Sequence, residues 1–144
     1  MRSRLRPPLV AALLTLTACA GSSQGVVPPE EIVLRPTRTS FAPGEAMDLE
    51  LWNRSRDAMG FNACSGLILE RRLGGDAWDR VSHQPPGTAC TLQLDALEPD
   101  RSTLVRIPPP DGLPPGVYRV RMHVEWPLGD GRVEVRSPPF SVGR

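Results

Sequence analysis

Residues 116–126, GVYRVRMHVEW, carry the most regular apolar pattern in the chain. Apolar side chains occupy every second position from Tyr118 to Trp126, and the positions between them are polar or charged: Arg119, Arg121, His123 and Glu125. Successive side chains of a β-strand point to opposite faces, so a period of two indicates a strand with one buried face. The segment therefore predicts an antiparallel sheet whose second face is exposed to water.

Shorter runs with strand character lie on both sides of this segment, separated by turns rich in Gly and Pro. After it, Gly129-Asp130-Gly131 predicts a hairpin turn, followed by strands over residues 132–136 and 140–142. Before it, strands are predicted around residues 32–34, 47–52, 60–62, 67–73, 78–81, 91–94 and 102–107. Since no ten-residue stretch beyond residue 18 has helical periodicity, these runs predict an all-β sandwich in which about seven or eight of them form strands.

The N-terminal residues predict an export signal. Arg2, Arg4 and Arg6 precede an apolar run of about ten residues, whereas a membrane-spanning helix needs roughly twenty. Residues 20–31, AGSSQGVVPPEE, are small, polar and proline-bearing, as is typical of a flexible tether. The chain therefore divides into a signal peptide over residues 1–18, a tether over residues 19–31 and a domain over residues 32–144.

The junction between the signal and the tether reads Leu16-Thr17-Ala18-Cys19, which closely resembles the lipobox of bacterial lipoproteins. The resemblance implies cleavage before Cys19, a diacylglyceryl group on its sulfur and a further acyl chain, for example palmitate, on its amino group. Two or three such chains anchor a protein firmly to a membrane. Ala20 after the cysteine implies, in a two-membrane bacterium, the periplasmic side of the outer membrane. Cleavage by ordinary signal peptidase, which would release a free secreted domain, is the alternative.

The charge balance argues against nucleic acid as a partner. All 17 basic residues are Arg, and the signal carries three of them, so the remaining chain has 14 basic and 16 acidic residues. Such a chain lacks the basic footprint of nucleic-acid-binding proteins.

The three cysteines also have a simple interpretation. If Cys19 carries lipid, Cys64 and Cys90 remain in an oxidising compartment and predict a disulfide. A metal site is the alternative, but only His83 and His123 could join the cysteines, and neither CxxC nor HxxxH spacing occurs. We therefore expect no metal and no cofactor.

Five segments in order resemble bacterial immunoglobulin-like domains: FAPGE at 41–45, LELWNRS at 49–55, WDRV at 78–81, LPPGVYRVRM at 113–122 and SPPFSV at 137–142. The resemblance implies one immunoglobulin-like β-sandwich, with Tyr118 as a corner residue whose hydroxyl bonds to nearby backbone. Antibody-type domains place a cysteine two residues after that tyrosine, where this chain has Val120. We therefore expect the Cys64–Cys90 bond in a loop or at a sheet edge.

The sequence contains no familiar catalytic arrangement. Ser65 lies in Ala-Cys-Ser-Gly, which is not the G-x-S-x-G elbow, and no glycine-rich phosphate loop occurs. His123 is expected to be solvated on the polar face of its strand, and His83 is expected in a loop before Pro85-Pro86. We therefore expect no enzyme activity, and a hydrolase that uses either histidine is the least favoured hypothesis.

A binding role is the preferred hypothesis. Arg119, Arg121, Arg132 and Arg136 would line one wet face if their strands pair as a hairpin, and such a face can bind carboxylates or anionic sugars. Charges that only keep a surface soluble are the alternative. We expect a lipid-anchored envelope protein with a non-catalytic binding or structural domain, whose partners are the membrane and an envelope protein or polysaccharide.

A proteinase inhibitor is the second hypothesis. Asn53-Arg54-Ser55 and Pro115-Gly116-Val117-Tyr118 loosely resemble segments of one bacterial inhibitor family that has a similar sandwich. Inhibition would need an exposed, rigid loop in an extended form, and residues 82–89 are the predicted candidate.

Overall fold

The computed structural model describes residues 30–108 and 112–143. Over these residues it consists of strands, loops and turns without a helix: β1 (Ile32–Pro36), β2 (Ser40–Phe41), β3 (Met47–Asn53), β4 (Met59–Phe61), β5 (Leu67–Gly74), β6 (Ala77–Val81), β7 (Asp95–Leu97), β8 (Arg101–Ile107), β9 (Gly116–Glu125), β10 (Arg132–Arg136) and β11 (Phe140–Val142). The signal peptide, Cys19 and nearly all of the tether lie outside the described residues. Within the described ranges, no helix is long and apolar enough to span a bilayer.

The strands form two sheets. The smaller sheet has the order β1-β3-β8, and both of its pairs are antiparallel. The larger sheet is built around β9, which pairs antiparallel with β4, β5, β10 and β11. β6, β7 and β2 extend it, and the short β2–β11 pair is parallel. The segment with the clearest alternation is thus the central strand of the larger sheet.

The core lies between the two sheets, where their apolar faces meet. Met47, Leu49 and Leu51 alternate along β3 and are fully buried. On β9, the side chains from Tyr118 to Val124 at every second position are buried as well. A slip of one residue in the β9 register would turn its arginines into the core, so this pattern specifies the pairing strongly.

The tyrosine corner expected from the resemblance is present. Tyr118 is fully buried, and its hydroxyl donates a hydrogen bond to the carbonyl oxygen of Pro114, four residues upstream. Burial raises the pKa of this phenol, which keeps it protonated as a donor. Together with the two packed sheets, this contact confirms the predicted immunoglobulin-like β-sandwich.

Two predicted features differ from the structure. The predicted strand over residues 91–94 is wrong: these residues lie in a loop, and β7 begins only at Asp95. The reason is that the carbonyl groups of Thr91 and Gln93 bond to a side chain instead of a neighbouring strand. Over the described residues the strand count is also eleven rather than seven or eight, because short strands such as β2 and β7 give little sequence signal.

Candidate functional site

The predicted arginine face does form on the outer side of the larger sheet. Arg119 and Arg121 lie on β9, and Arg132 and Arg136 lie on β10. The β9–β10 pairing places Arg136 opposite Arg121, and Arg132 opposite Glu125. The four residues therefore share one surface, as the hairpin hypothesis required.

Two carboxylates occupy most of this arginine face. Glu70 is buried between Arg119 and Arg121, with N–O distances of 2.6 Å and 2.8 Å. Glu134 lies 2.8 Å from Arg121 and 2.7 Å from Arg136. Three of the four guanidinium groups are therefore already paired within the domain, which reduces what they can offer to an external anion.

Glu70 was not anticipated as part of this surface. It comes from β5, where it pairs with Arg119, and it lies 49 residues before that arginine in the chain. Arg119 also stacks on Trp78 of β6, with its guanidinium carbon 4.2 Å from the ring centroid. No local sequence pattern indicates these contacts, because they depend on which strands flank β9.

The two histidines belong to different elements, His123 to β9 and His83 to the loop after β6. His123 lies on the arginine face, 3.5 Å from Glu134, and its pKa is lowered by burial and by Arg132 and Arg121, against the opposing charge of Glu134. His83 lies in the loop after β6, where burial and Arg80 lower its pKa. Within the part of the chain that the structure describes, no cluster of three or more His, Cys, Asp or Glu could hold a metal ion.

A second candidate site lies in the long loop between β6 and β7, residues 82–94, which we call the braced loop. A disulfide joins Cys90 of this loop to Cys64 in the turn after β4, with 5.5 Å between the Cα atoms. The bond therefore has the predicted partners, and it lies between loops as expected. It closes a separation of 26 residues in the chain.

Asn62 fastens the braced loop to the same turn. Its Nδ2 donates hydrogen bonds to the carbonyl oxygens of Thr91 at 2.8 Å and Gln93 at 2.7 Å. Its Oδ1 accepts hydrogen bonds from the backbone N–H groups of Cys64 and Ser65, both at 2.9 Å. The buried amide thus uses both donors and its acceptor oxygen, and it joins the loop to the turn.

The turn that receives these bonds is itself fixed to the central strand. Gly66 donates to the carbonyl of Asn62 and accepts a hydrogen bond from the N–H of His123, both at 2.9 Å. A Cβ atom at position 66 would lie 2.7 Å from the Asn62 carbonyl oxygen and 2.9 Å from that of His123. Glycine is therefore required at this close approach of two backbones.

Further contacts hold the first half of the braced loop. Gln84 Nε2 donates to the carbonyl oxygen of Cys64 at 2.6 Å. Residues 85–88 form a tight turn in which Gly87 has a φ of +80° and Thr88 bonds to the Pro85 carbonyl. The predicted candidate loop, residues 82–89, is thus one arm of a longer braced segment.

The other arm presents one large apolar side chain to solvent. The chain bends at Leu92. This residue is 93% exposed, although the carbonyl groups of the residues before and after it both accept hydrogen bonds from Asn62. Sequence reasoning missed both Leu92 and Asn62, because Leu92 fits an alternating strand pattern and Asn62 gives no local sign of its distant partners.

The Asn53-Arg54-Ser55 segment, which suggested an inhibitor family, has a structural role. Asn53 is fully buried and donates hydrogen bonds to the carbonyl oxygens of Asp57 and Leu97, both at 2.9 Å. The Ser55 hydroxyl bonds to Asn53 Oδ1 at 2.6 Å and accepts a hydrogen bond from Trp126 at 2.7 Å. These bonds connect the smaller sheet to the ends of β7 and β9.

Comparison with known proteins yields a structural likeness alone. No protein-family model matches the chain, and no curated protein is similar to it in sequence. A similar solved structure is the ASH / PapD-like domain of human CEP192 (PapD-like domain 7), which is 18% identical. The match covers 94% of this chain and 96% of that one, with a TM-score of 0.42.

Proposed function

We propose that this chain is a lipid-anchored, non-catalytic binding domain of the bacterial cell envelope. The observation that carries the binding role is the braced loop, which projects an exposed apolar side chain from a rigid sandwich. Ordered loops on a rigid scaffold are a common way to present binding residues. The arginine face supports the same role less strongly, because Glu70 and Glu134 already pair with it.

The anchor rests on the Leu16-Thr17-Ala18-Cys19 motif. A lipidated Cys19 would hold the domain at a membrane, which we place at the periplasmic side of an outer membrane. The predicted tether of a dozen residues would span roughly 20 Å, so the braced loop would reach partners close to that surface. An envelope protein or a polysaccharide is the expected class of partner.

Intact mass spectrometry of the membrane-extracted protein tests the anchor and the disulfide together. We expect the mass of a chain that begins at Cys19 and carries acyl chains. Reduction of its one disulfide should increase this mass by about two mass units. A Cys19→Ser variant is the matched control and should remain unprocessed. A soluble chain with an unmodified thiol at Cys19 would contradict the anchor.

Capture from crosslinked envelopes tests the binding role. The wild-type chain is compared with a Leu92→Arg variant, which changes the exposed loop, and with a Leu104→Arg variant, which changes an equally apolar exposed site on β8. A partner that is captured by the wild-type chain and by Leu104→Arg, but not by Leu92→Arg, would support the braced loop as the binding site. Repeated capture of nothing by the wild-type chain would argue against a binding role.

Proteinase inhibition is the second candidate function. The specific observation in its favour is that the braced loop is fixed at Cys90 by the disulfide and at Thr91 and Gln93 by Asn62. An inhibitor must keep its loop in one conformation inside the enzyme cleft. The disulfide and the hydrogen bonds from Asn62 would hold this loop in that way. Titration against serine, cysteine and aspartic proteinases tests it, and full retained activity of every enzyme would dismiss it.

A further inference from the structure

We propose that Leu92 enters the primary specificity pocket of a serine endopeptidase that prefers large apolar residues, and that residues 90–94 bind this enzyme as a very slowly cleaved substrate. The inference rests on the inhibitor function above and names its contact residue and its target class.

The exposure of Leu92 is unusual for its surroundings. The residue is 93% exposed, while the backbone on both sides of it is bonded to the buried amide of Asn62. An apolar side chain that is only loosely attached would collapse onto the surface, since burial removes apolar area from water. Here the two carbonyl bonds and the bend at Leu92 keep it at the tip of the loop.

The same contacts reduce the entropy that the loop would lose on binding. A flexible peptide must order its backbone and side chains when it enters an enzyme cleft. In this loop, Cys90 is fixed by the disulfide, and Thr91 and Gln93 are fixed by Asn62. The residues that would occupy the cleft are therefore ordered before the enzyme arrives.

The holding contacts also favour reversal of the cleavage step. Attack of the enzyme's serine Oγ on the Leu92 carbonyl carbon forms an ester and breaks the bond to the Gln93 nitrogen, which receives the proton from the serine through the enzyme's base. Asn62 keeps Gln93 in place, and the disulfide keeps the acyl side in place. The Gln93 amine then attacks the ester, restores the peptide bond and returns the proton to the serine.

The chemistry of Leu92 selects the enzyme class. A large aliphatic side chain fits the hydrophobic slot of a chymotrypsin-like pocket and has no charge for the buried aspartate of a trypsin-like pocket. Two of the other three exposed leucines in the described residues, Leu73 and Leu104, belong to strands β5 and β8 rather than to the braced loop. They match Leu92 in residue type and serve as controls.

The test measures inhibition of chymotrypsin and trypsin by the full chain, purified with its disulfide intact. We expect inhibition of chymotrypsin and none of trypsin. Leu92→Arg should weaken chymotrypsin inhibition by at least about tenfold, because the apolar pocket would have to bury an unpaired charge, and should create inhibition of trypsin. Leu104→Arg should leave both measurements unchanged. Equal inhibition of chymotrypsin by the wild-type chain and Leu92→Arg, or no inhibition by the wild-type chain, would overturn the proposal.

A second variant separates a fixed loop from a merely exposed one. Asn62→Ala should convert the chain into an ordinary substrate, cleaved by chymotrypsin between Leu92 and Gln93 at least about tenfold faster than the wild-type chain. Mass spectrometry of the fragments after reduction identifies the bond. Cleavage of the wild-type chain at the same rate as the variant would show that the loop gives no protection and would refute the mechanism.

The outcomes distinguish this inference from the broader function. Envelope capture that depends on Leu92, without any proteinase inhibition, would refute the inference and leave the binding domain standing. Inhibition by a chain that proves to be unlipidated would support the inference and refute the anchor.

Discussion

Replacing Asn62 by Asp offers the sharpest test of how the braced loop is held. The change keeps the size and shape of the side chain but replaces the donor nitrogen with oxygen. The two hydrogen bonds that the side chain accepts from Cys64 and Ser65 survive, whereas the two that it donates to Thr91 and Gln93 become oxygen–oxygen contacts. The variant therefore detaches the loop and leaves the turn intact.

The magnitude follows from the two lost hydrogen bonds. Each contributes about 0.5 to 1.5 kcal/mol net, so the loop should become easier to open by about 1 to 3 kcal/mol. When opening is fast compared with cleavage, proteolysis follows the population of the open form, and this change corresponds to an increase of about 5- to 150-fold. The disulfide remains, so the global fold should persist.

Two measurements check the prediction. Limited proteolysis with a broad-specificity protease reports cleavage within residues 88–94, and hydrogen exchange reports protection of the Cys64 and Ser65 amides. Asn62→Asp should raise the cleavage rate and preserve the protection, whereas Asn62→Ala should raise the cleavage rate and lose it. Cleavage of the Asp variant at the wild-type rate would refute the reasoning, as would equal loss of protection in both variants.

Three further predictions concern stability. Replacing Cys64 and Cys90 with alanine should lower the free energy of unfolding in urea by about 3 to 4 kcal/mol, because the bond closes a separation of 26 residues. Glu70→Gln should lower it by about 1 to 3 kcal/mol, because Arg119 loses a charged hydrogen-bond acceptor and Arg121 loses a nearby opposite charge. Melting temperature should fall as the pH drops below 6.5, because the lowered pKa values of His83 and His123 make the unfolded chain the better proton acceptor. Replacing both histidines with glutamine should flatten this part of the profile, and an unchanged profile would contradict the assignment.

The outer face of the larger sheet shows how pairing alters an apparent binding surface. In the sequence pattern, Arg119 and Arg121 lie on the same polar face of β9 and suggest a basic surface. In the fold, Glu70 on β5 forms ion pairs with both arginines. Glu134 forms ion pairs with Arg121 and Arg136. A ligand for this face would have to compete with carboxylates that are already in place, which is why the braced loop is the stronger candidate site.

Several features could be predicted from local sequence. Alternation over residues 116–126 gave the buried side of β9, because the faces of a strand alternate whatever its partners are. The resemblance to immunoglobulin-like domains anticipated the Tyr118 corner, whose acceptor Pro114 lies only four residues away. The number of cysteines available for pairing anticipated the Cys64–Cys90 bond.

Other features were decided by contacts between distant segments. Residues 91–94 have the alternation of a strand, yet Asn62 takes up two of their carbonyl groups and keeps them in a loop. Glu70 meets Arg119 across 49 residues only because β5 pairs with β9 in one register. The sequence by itself determined which side of each long strand is buried, since that depends on residue order alone. The tertiary structure decided which side chains meet, since that depends on strand register and on where the loops cross.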